Sequence, residues 1–191
     1  MESHERNDYI RINISLESLM PRDEIRQLEF AERHLVFTQS FFPRIDAKVS
    51  ALFAISSAEI AVAVLNVSPD DLKLWYVTVP LVAFLIVIAT TVFNLYRCAY
   101  PHLEGGQRSL FYFAEIAKCQ QADFIRDHKA LTAAQLTDDL CGQIHRNAEI
   151  LTLKYGYLKT ATKAVMWSLL PWTALLLATS LSHWRAPLLG G

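Results

Sequence analysis

Apolar residues gather into three stretches along the chain, Ala51–Val67, Leu74–Leu95 and Ala164–Leu181. An α-helix rises about 1.5 Å per residue, so a hydrocarbon layer of about 30 Å takes about 20 apolar residues to cross. Leu74–Leu95 meets that length without a charge. Ala51–Val67 is shorter and carries Glu59, but it reaches the length if its helix starts near Asp46 and Asn66 lies at the interface. Ala164–Leu181 contains Pro171, which a membrane helix tolerates when neighbouring groups satisfy the freed carbonyl. The pattern predicts three membrane spans, with a buried core helix as the alternative for the first and third.

Outside the spans the pattern is amphipathic and mostly helical. Pro21, Asp23 and Glu24 read as a helix start, with acids placed to complement the macrodipole. Ile25, Leu28, Leu35, Gln39 and Phe42 follow at helical spacing, and Pro43 is expected to bend or divide the helix. Upstream, Ile10, Ile12, Ile14 and Leu16 alternate with polar residues in the period of a strand. After the second span, Tyr100-Pro101 and Gly105-Gly106 break the chain, and Ser109–Gln120 reads as a short helix. Thr132 with Gln135 three residues on forms a capping box. It opens a long helix whose stripe runs through Leu136, Leu140, Ile144, Ala148, Leu151, Tyr155 and Leu158 and continues into the third span.

The fold class expected is therefore an all-α integral membrane protein with three transmembrane helices and amphipathic cytoplasmic helices, the last continuous with the third span. Its parts are an N-terminal cytoplasmic segment and helix (1–46), a hairpin of two spans (47–97), a cytoplasmic helical sensor region (98–160), the third span (161–183) and an extracytoplasmic tail (184–191).

Charge gives this architecture a direction. Of 18 Lys and Arg residues, seven precede the first span and nine lie between the second and third, against one in the turn Ser68–Lys73 and one in the tail. The N-terminus and central loop are thus expected in the cytoplasm. Trp75, Tyr76, Trp167, Trp172 and Trp184 include candidate interfacial anchors. A formal net charge of −1 gives no hint of nucleic-acid binding. Met1–Asp23 lacks the apolar core of a signal peptide. Cys98, Cys119 and Cys141 have no metal-ligand spacing and read as free thiols, so no metal site is expected. With no zinc-protease run, phosphate loop or nucleophile elbow, no catalytic residue is assigned and an enzyme is not expected.

Three constellations carry candidate chemistry. Gln143, Asn147 and Lys154 lie on adjoining turns beside Tyr155, where amides and an ammonium could grip a base edge and a phosphate and the ring could stack. A solvated helix flank has the same pattern. Asp46 and Lys48 sit where the chain enters the first span, and Lys48 either binds an anion or snorkels to the interface. Along that helix Ala47, Ala51, Ala54, Ala58 and Ala61 make a small-residue packing stripe, while Glu59 lies on another face. An acid at bilayer depth costs about 2.5 to 3.5 kcal/mol on insertion scales, so Glu59 either serves assembly or a water path or has a partner in its own chain.

At these residues the chain resembles the membrane effectors of Pycsar anti-phage systems, bacterial multi-pass proteins encoded beside a pyrimidine nucleotide cyclase. The resemblance rests on Ile45-Asp46-Ala47-Lys48 before the first span and Ser109–Ala117 after the second. It also rests on Gln143-Ile144, Asn147-Ala148 and Lys154-Tyr155 on the long helix. It covers about residues 33–177 and leaves Met1–Glu32 unmatched.

It implies an inner-membrane protein, silent until infection, that senses cyclic UMP or cyclic CMP from the partner cyclase and then impairs the membrane, with no further cofactor. Asp46, Lys48, Gln143, Asn147, Lys154 and Tyr155 are the expected nucleotide site. Ala51, Ala54, Ala58, Glu59 and Ala61 are the expected assembly or pore residues of a homo-oligomer. Two readings compete with it: a constitutive membrane scaffold whose helices dock a partner, and a small-ion transporter centred on Glu59, which the lack of internal repeats weakens.

Overall fold

The structure, a computed structural model, describes residues 22–100 and 109–185. The alternating stretch at 10–16 and the breaks at Pro101 and Gly105-Gly106 lie outside them. All regular structure among the described residues is helical: α1 (Arg22–Gln39), α2 (Phe41–Asn66), a 3-10 turn (Asp71–Lys73), α3 (Trp75–Ala99), α4 (Phe113–Ile116), α5 (Gln121–Ala130) and α6 (Ala133–Arg185). These fall into two compact units, one holding residues 22–41 and 109–150, the other 42–100 and 151–185.

In the first unit, α1 buries Ala31 and Thr38 and half-buries Ile25, Leu28 and Leu35. It stops at Gln39, and Ser40 closes the turn by donating its amide to Val36 (3.0 Å) and its hydroxyl to Phe37 (2.7 Å). The break precedes Pro43 because a proline ring clashes with the carbonyl four residues back and brings no N–H. Set at the third position of α2, Pro43 loses nothing, since first-turn amides have no acceptor within their helix.

The helix expected over Ser109–Gln120 shrinks to the single turn of α4. Ser109 is buried, and its hydroxyl accepts the amides of Phe111 (3.2 Å) and Tyr112 (3.0 Å), holding 109–112 out of a helix. Only Phe113–Ile116 then coils, before α5, which the sequence pattern did not reveal. The capping box is formed: the Gln135 amide donates to Thr132 Oγ1 (3.3 Å), and Gln135 Oε1 accepts the Thr132 amide (3.0 Å). α6 then runs unbroken through Gly142, Gly156 and Pro171.

The second unit is a bundle of three long helices. α2 and α6 run parallel, since Asp46 and Glu59 of α2 meet Lys154 and Ser168 of α6 in the same order; α3 runs against both, its Cys98 beside Lys154. Residues turned inward recur every three and four positions. On α3 these are Val77, Leu81, Phe84, Ile88, Thr91, Leu95 and Cys98; on α6 they are Leu151, Lys154, Leu158, Ala161, Val165, Ser168, Trp172, Leu175, Thr179 and Ser182. This is the 3.5-residue repeat of helices wound left-handedly about one another. The seam passes through Lys154, and Tyr155, expected on the apolar stripe, stands at the bundle edge at 40% exposed.

Unlike that of a water-soluble bundle, the outside is as apolar as the inside, and the interior admits polar groups. Buried positions include Ser56, Glu59, Thr91, Ser168 and Thr179, while Val64, Leu65, Ile86, Phe93, Leu170 and Leu177 face outward. Only 17, 22 and 28% of the three apolar windows is buried, so neither the first nor the third is a core helix of this chain. α2, α3 and α6 are three helices long and apolar enough to cross a membrane. Without a hydrophobic drive between helices in lipid, such a bundle rests on close packing and interhelical hydrogen bonds.

Candidate functional site

Four of the six residues expected at a nucleotide site lie in the second unit, at the end where the first and third apolar stretches begin. Lys154 is buried at 8% exposed, and its Nζ lies 3.5 Å from the Asp46 carboxylate, which is more than half exposed. The seam spacing of α6 forces the lysine inward, and Asp46 is the charge that meets it. The Lys154 carbonyl accepts the Cys98 thiol at 3.3 Å, so α2, α3 and α6 meet at this point. Nearby, Arg97 donates to the Tyr157 hydroxyl (3.0 Å) with its guanidinium 5.4 Å from that ring's centre. Lys48 and Tyr155 line an open groove between α2 and α6.

Gln143 and Asn147 lie in the first unit. Gln143 Nε2 donates to Ser109 Oγ at 3.1 Å, and the Leu110 amide donates to Asp139 at 3.0 Å, so Gln143 helps fasten the 109–112 segment to α6. Asn147 is half-buried.

The alanines and Glu59 point different ways. Ala51, Ala54, Ala58 and Ala61 are exposed on the outside of α2. Glu59 is buried in the seam and accepts the Ser168 hydroxyl at 2.8 Å, while Trp172 Nε1 donates to the Glu59 backbone carbonyl at 3.1 Å. The acid thus has its partner in its own chain. Ser56, one turn earlier on the same face, is buried with its hydroxyl unbonded.

The far end of the bundle holds a cluster that sequence reading missed. Asp71 is buried in the turn between α2 and α3, where its Oδ1 accepts Ser182 Oγ (2.6 Å) and its Oδ2 accepts both the amide (2.9 Å) and hydroxyl (2.7 Å) of Ser68. His183 Nε2 lies 3.5 Å from the same carboxylate. The Ser182 hydrogen bond, then the Ser68 bonds and the nearby imidazole, outweigh burial and lower the Asp71 pKa to about 2. Among the described residues no cluster of His, Cys, Asp and Glu could hold a metal ion.

Residues 30–180 match the family profile of the Pycsar effector protein domain. No curated protein and no solved structure matches the chain.

Proposed function

Because the chain belongs to the family of transmembrane Pycsar effectors, which are anti-phage membrane effectors, we propose that it senses a cyclic pyrimidine mononucleotide, cyclic UMP or cyclic CMP. Binding then impairs the inner membrane and ends the infection with the cell. The basic bias of the connecting segments supports a cytoplasmic N-terminus, which puts the Lys154 end of the bundle in the compartment where a cyclase would release its product.

The observation that carries the reading is the match across residues 30–180, which takes in most of both units. At residue level, the Asp46–Lys154 pair is the strongest candidate trigger. A nucleotide phosphate offers Lys154 the same charge as the Asp46 carboxylate and would replace it, loosening α2 from α6 at one end of their seam. One such pair, with its carboxylate more than half exposed, contributes on the order of 1 kcal/mol or less. Moving a resting population from 1:99 to 99:1 takes about 5.5 kcal/mol. A single exchanged ion pair falls short of that, so the switch needs further nucleotide contacts or coupled subunits. The exposed alanine face of α2 would let subunits approach closely.

Calorimetry on the detergent-purified chain with cyclic UMP, cyclic CMP, cyclic AMP and cyclic GMP tests the reading. A pyrimidine nucleotide should bind, and Lys154→Ala should weaken it by about tenfold or more, the scale of a lost charge-assisted hydrogen bond. Binding to none of the four would refute nucleotide sensing, and unchanged affinity in the variant would remove Lys154 from the site.

A further inference from the structure

The groove between α2 and α6 has a composition that the Asp46–Lys154 pair does not explain. Its floor is apolar, from Ala51, Leu52 and Leu158, and its rim carries Lys48, Lys159 and Lys163. No carboxylate lines it, and none of the three lysines pairs with one among the described residues. Lys159 and Lys163 stand one turn apart on α6, a spacing at which like charges repel, and Lys48 faces the same groove from α2. Three uncompensated ammonium groups around one depression favour an anion held between them.

The position of the groove along the helices narrows the anion further. Ala51 is the first residue of the first apolar stretch, and Lys163 immediately precedes the third. The lysine rim therefore lies at headgroup level and the floor extends toward the acyl chains. The groove encloses about 530 Å³, far more than a phosphate ion fills. An occupant that is anionic at one end and apolar at the other matches both halves.

We propose that this groove is a binding site for an anionic phospholipid, its phosphate held by Lys48, Lys159 and Lys163 and an acyl chain lying over Ala51, Leu52 and Leu158. The lipid would seal the outer edge of the α2–α6 seam beside the Asp46–Lys154 pair. The assignment rests on the membrane bundle alone and stands whether or not the chain binds a nucleotide. Tyr155 also lines the groove, where a ring at the interface is at home between headgroup and chain.

Native mass spectrometry of the full chain, delipidated in mild detergent and titrated with phosphatidylglycerol or phosphatidylethanolamine, tests this directly. Phosphatidylglycerol should be retained one per chain, about tenfold or more over the zwitterionic lipid, since each lysine near the headgroup favours the anionic one. The triple variant Lys48→Gln, Lys159→Gln, Lys163→Gln should lose that preference, and the triple Lys→Arg variant should keep it. Lys159→Gln alone, with circular dichroism confirming unchanged helix content, should weaken retention in proportion and guards against misfolding of the triple variant. Equal retention of the two lipids by the native chain, or an undiminished preference in a folded Gln variant, would overturn the proposal. So would displacement of bound phosphatidylglycerol by inorganic phosphate or by cyclic UMP, which would make the groove a free-anion or nucleotide site.

Discussion

Asp71 shows how far one carboxylate can be tied down at the end of a membrane bundle. The hydrogen bond from Ser182 fastens the turn after α2 to the last turn of α6, the two from Ser68 close that turn, and the charged form gains from each of them. Because its pKa is lowered to about 2 from an ordinary 3.8, the stabilisation it gives is present above about pH 4 and disappears as the pH falls from about 4 to about 2. For a group at the membrane boundary that amounts to on the order of 1–2 kcal/mol. Thermal melts of the detergent-solubilised chain should therefore be steady from pH 5 to 7 and fall below about pH 4, and Asp71→Asn should flatten that fall while lowering the plateau. An identical acid profile in the variant would show that the cluster does not couple to stability. The tie to α6 is not legible in the sequence, because Asp71 and Ser182 stand 111 positions apart and no local periodicity joins them. The same holds for Glu59 and Ser168, 109 positions apart; reading the sequence raised the need for a partner and could not choose it.

At the scale of elements, legibility tracks how strongly each segment constrains its own backbone. The two-way hydrogen bonding of Thr132 and Gln135 is local, so the start of α6 could be read directly. Thr132→Ala should cost about 1 kcal/mol and lower the helix melting temperature by a few degrees in far-UV circular dichroism. No change would mean that packing alone positions this end. α5 escaped notice because Gln121–Ala130 is mostly polar, with no stripe to show its period. The 109–112 segment was misjudged because a serine hydroxyl can take up backbone amides that a helix would otherwise use, an option invisible in the apolar pattern. On α6 a small difference of period mattered: counting straight down the stripe gave Tyr155, whereas the 3.5-residue repeat of packed helices turns Lys154 inward instead. That shift of one residue separates an ion pair with a buried lysine from an interfacial ring, and with it the candidate trigger from the candidate lipid groove.

The molecule as a whole declares its solvent. Polar side chains such as Glu59, Thr91 and Ser168 are buried between the three spanning helices beside Phe84, Ile88 and Leu175, and large aliphatic ones also cover the outside, the arrangement expected when lipid rather than water surrounds the bundle. The spans were readable because length and hydropathy suffice for them. The candidate site was only partly readable: the sequence nominated the Asp46, Lys48, Lys154 and Tyr155 positions, but their division between an ion pair and a groove required the packing. Orientation can be measured through the thiols. Cys119 and Cys141 are exposed and Cys98 is buried, so a membrane-impermeant maleimide should label the first two in inverted vesicles and not in intact spheroplasts. Labelling in spheroplasts would reverse the proposed topology.

Whether a cyclic pyrimidine nucleotide makes this chain breach its membrane can be read from dye release by liposomes. The purified protein would be reconstituted into phosphatidylglycerol-containing vesicles and challenged with each of the four cyclic nucleotides. Cyclic UMP or cyclic CMP should release the dye, and cyclic AMP and cyclic GMP should not. Intact vesicles with all four nucleotides, or equal leakage without any, would contradict the proposed function.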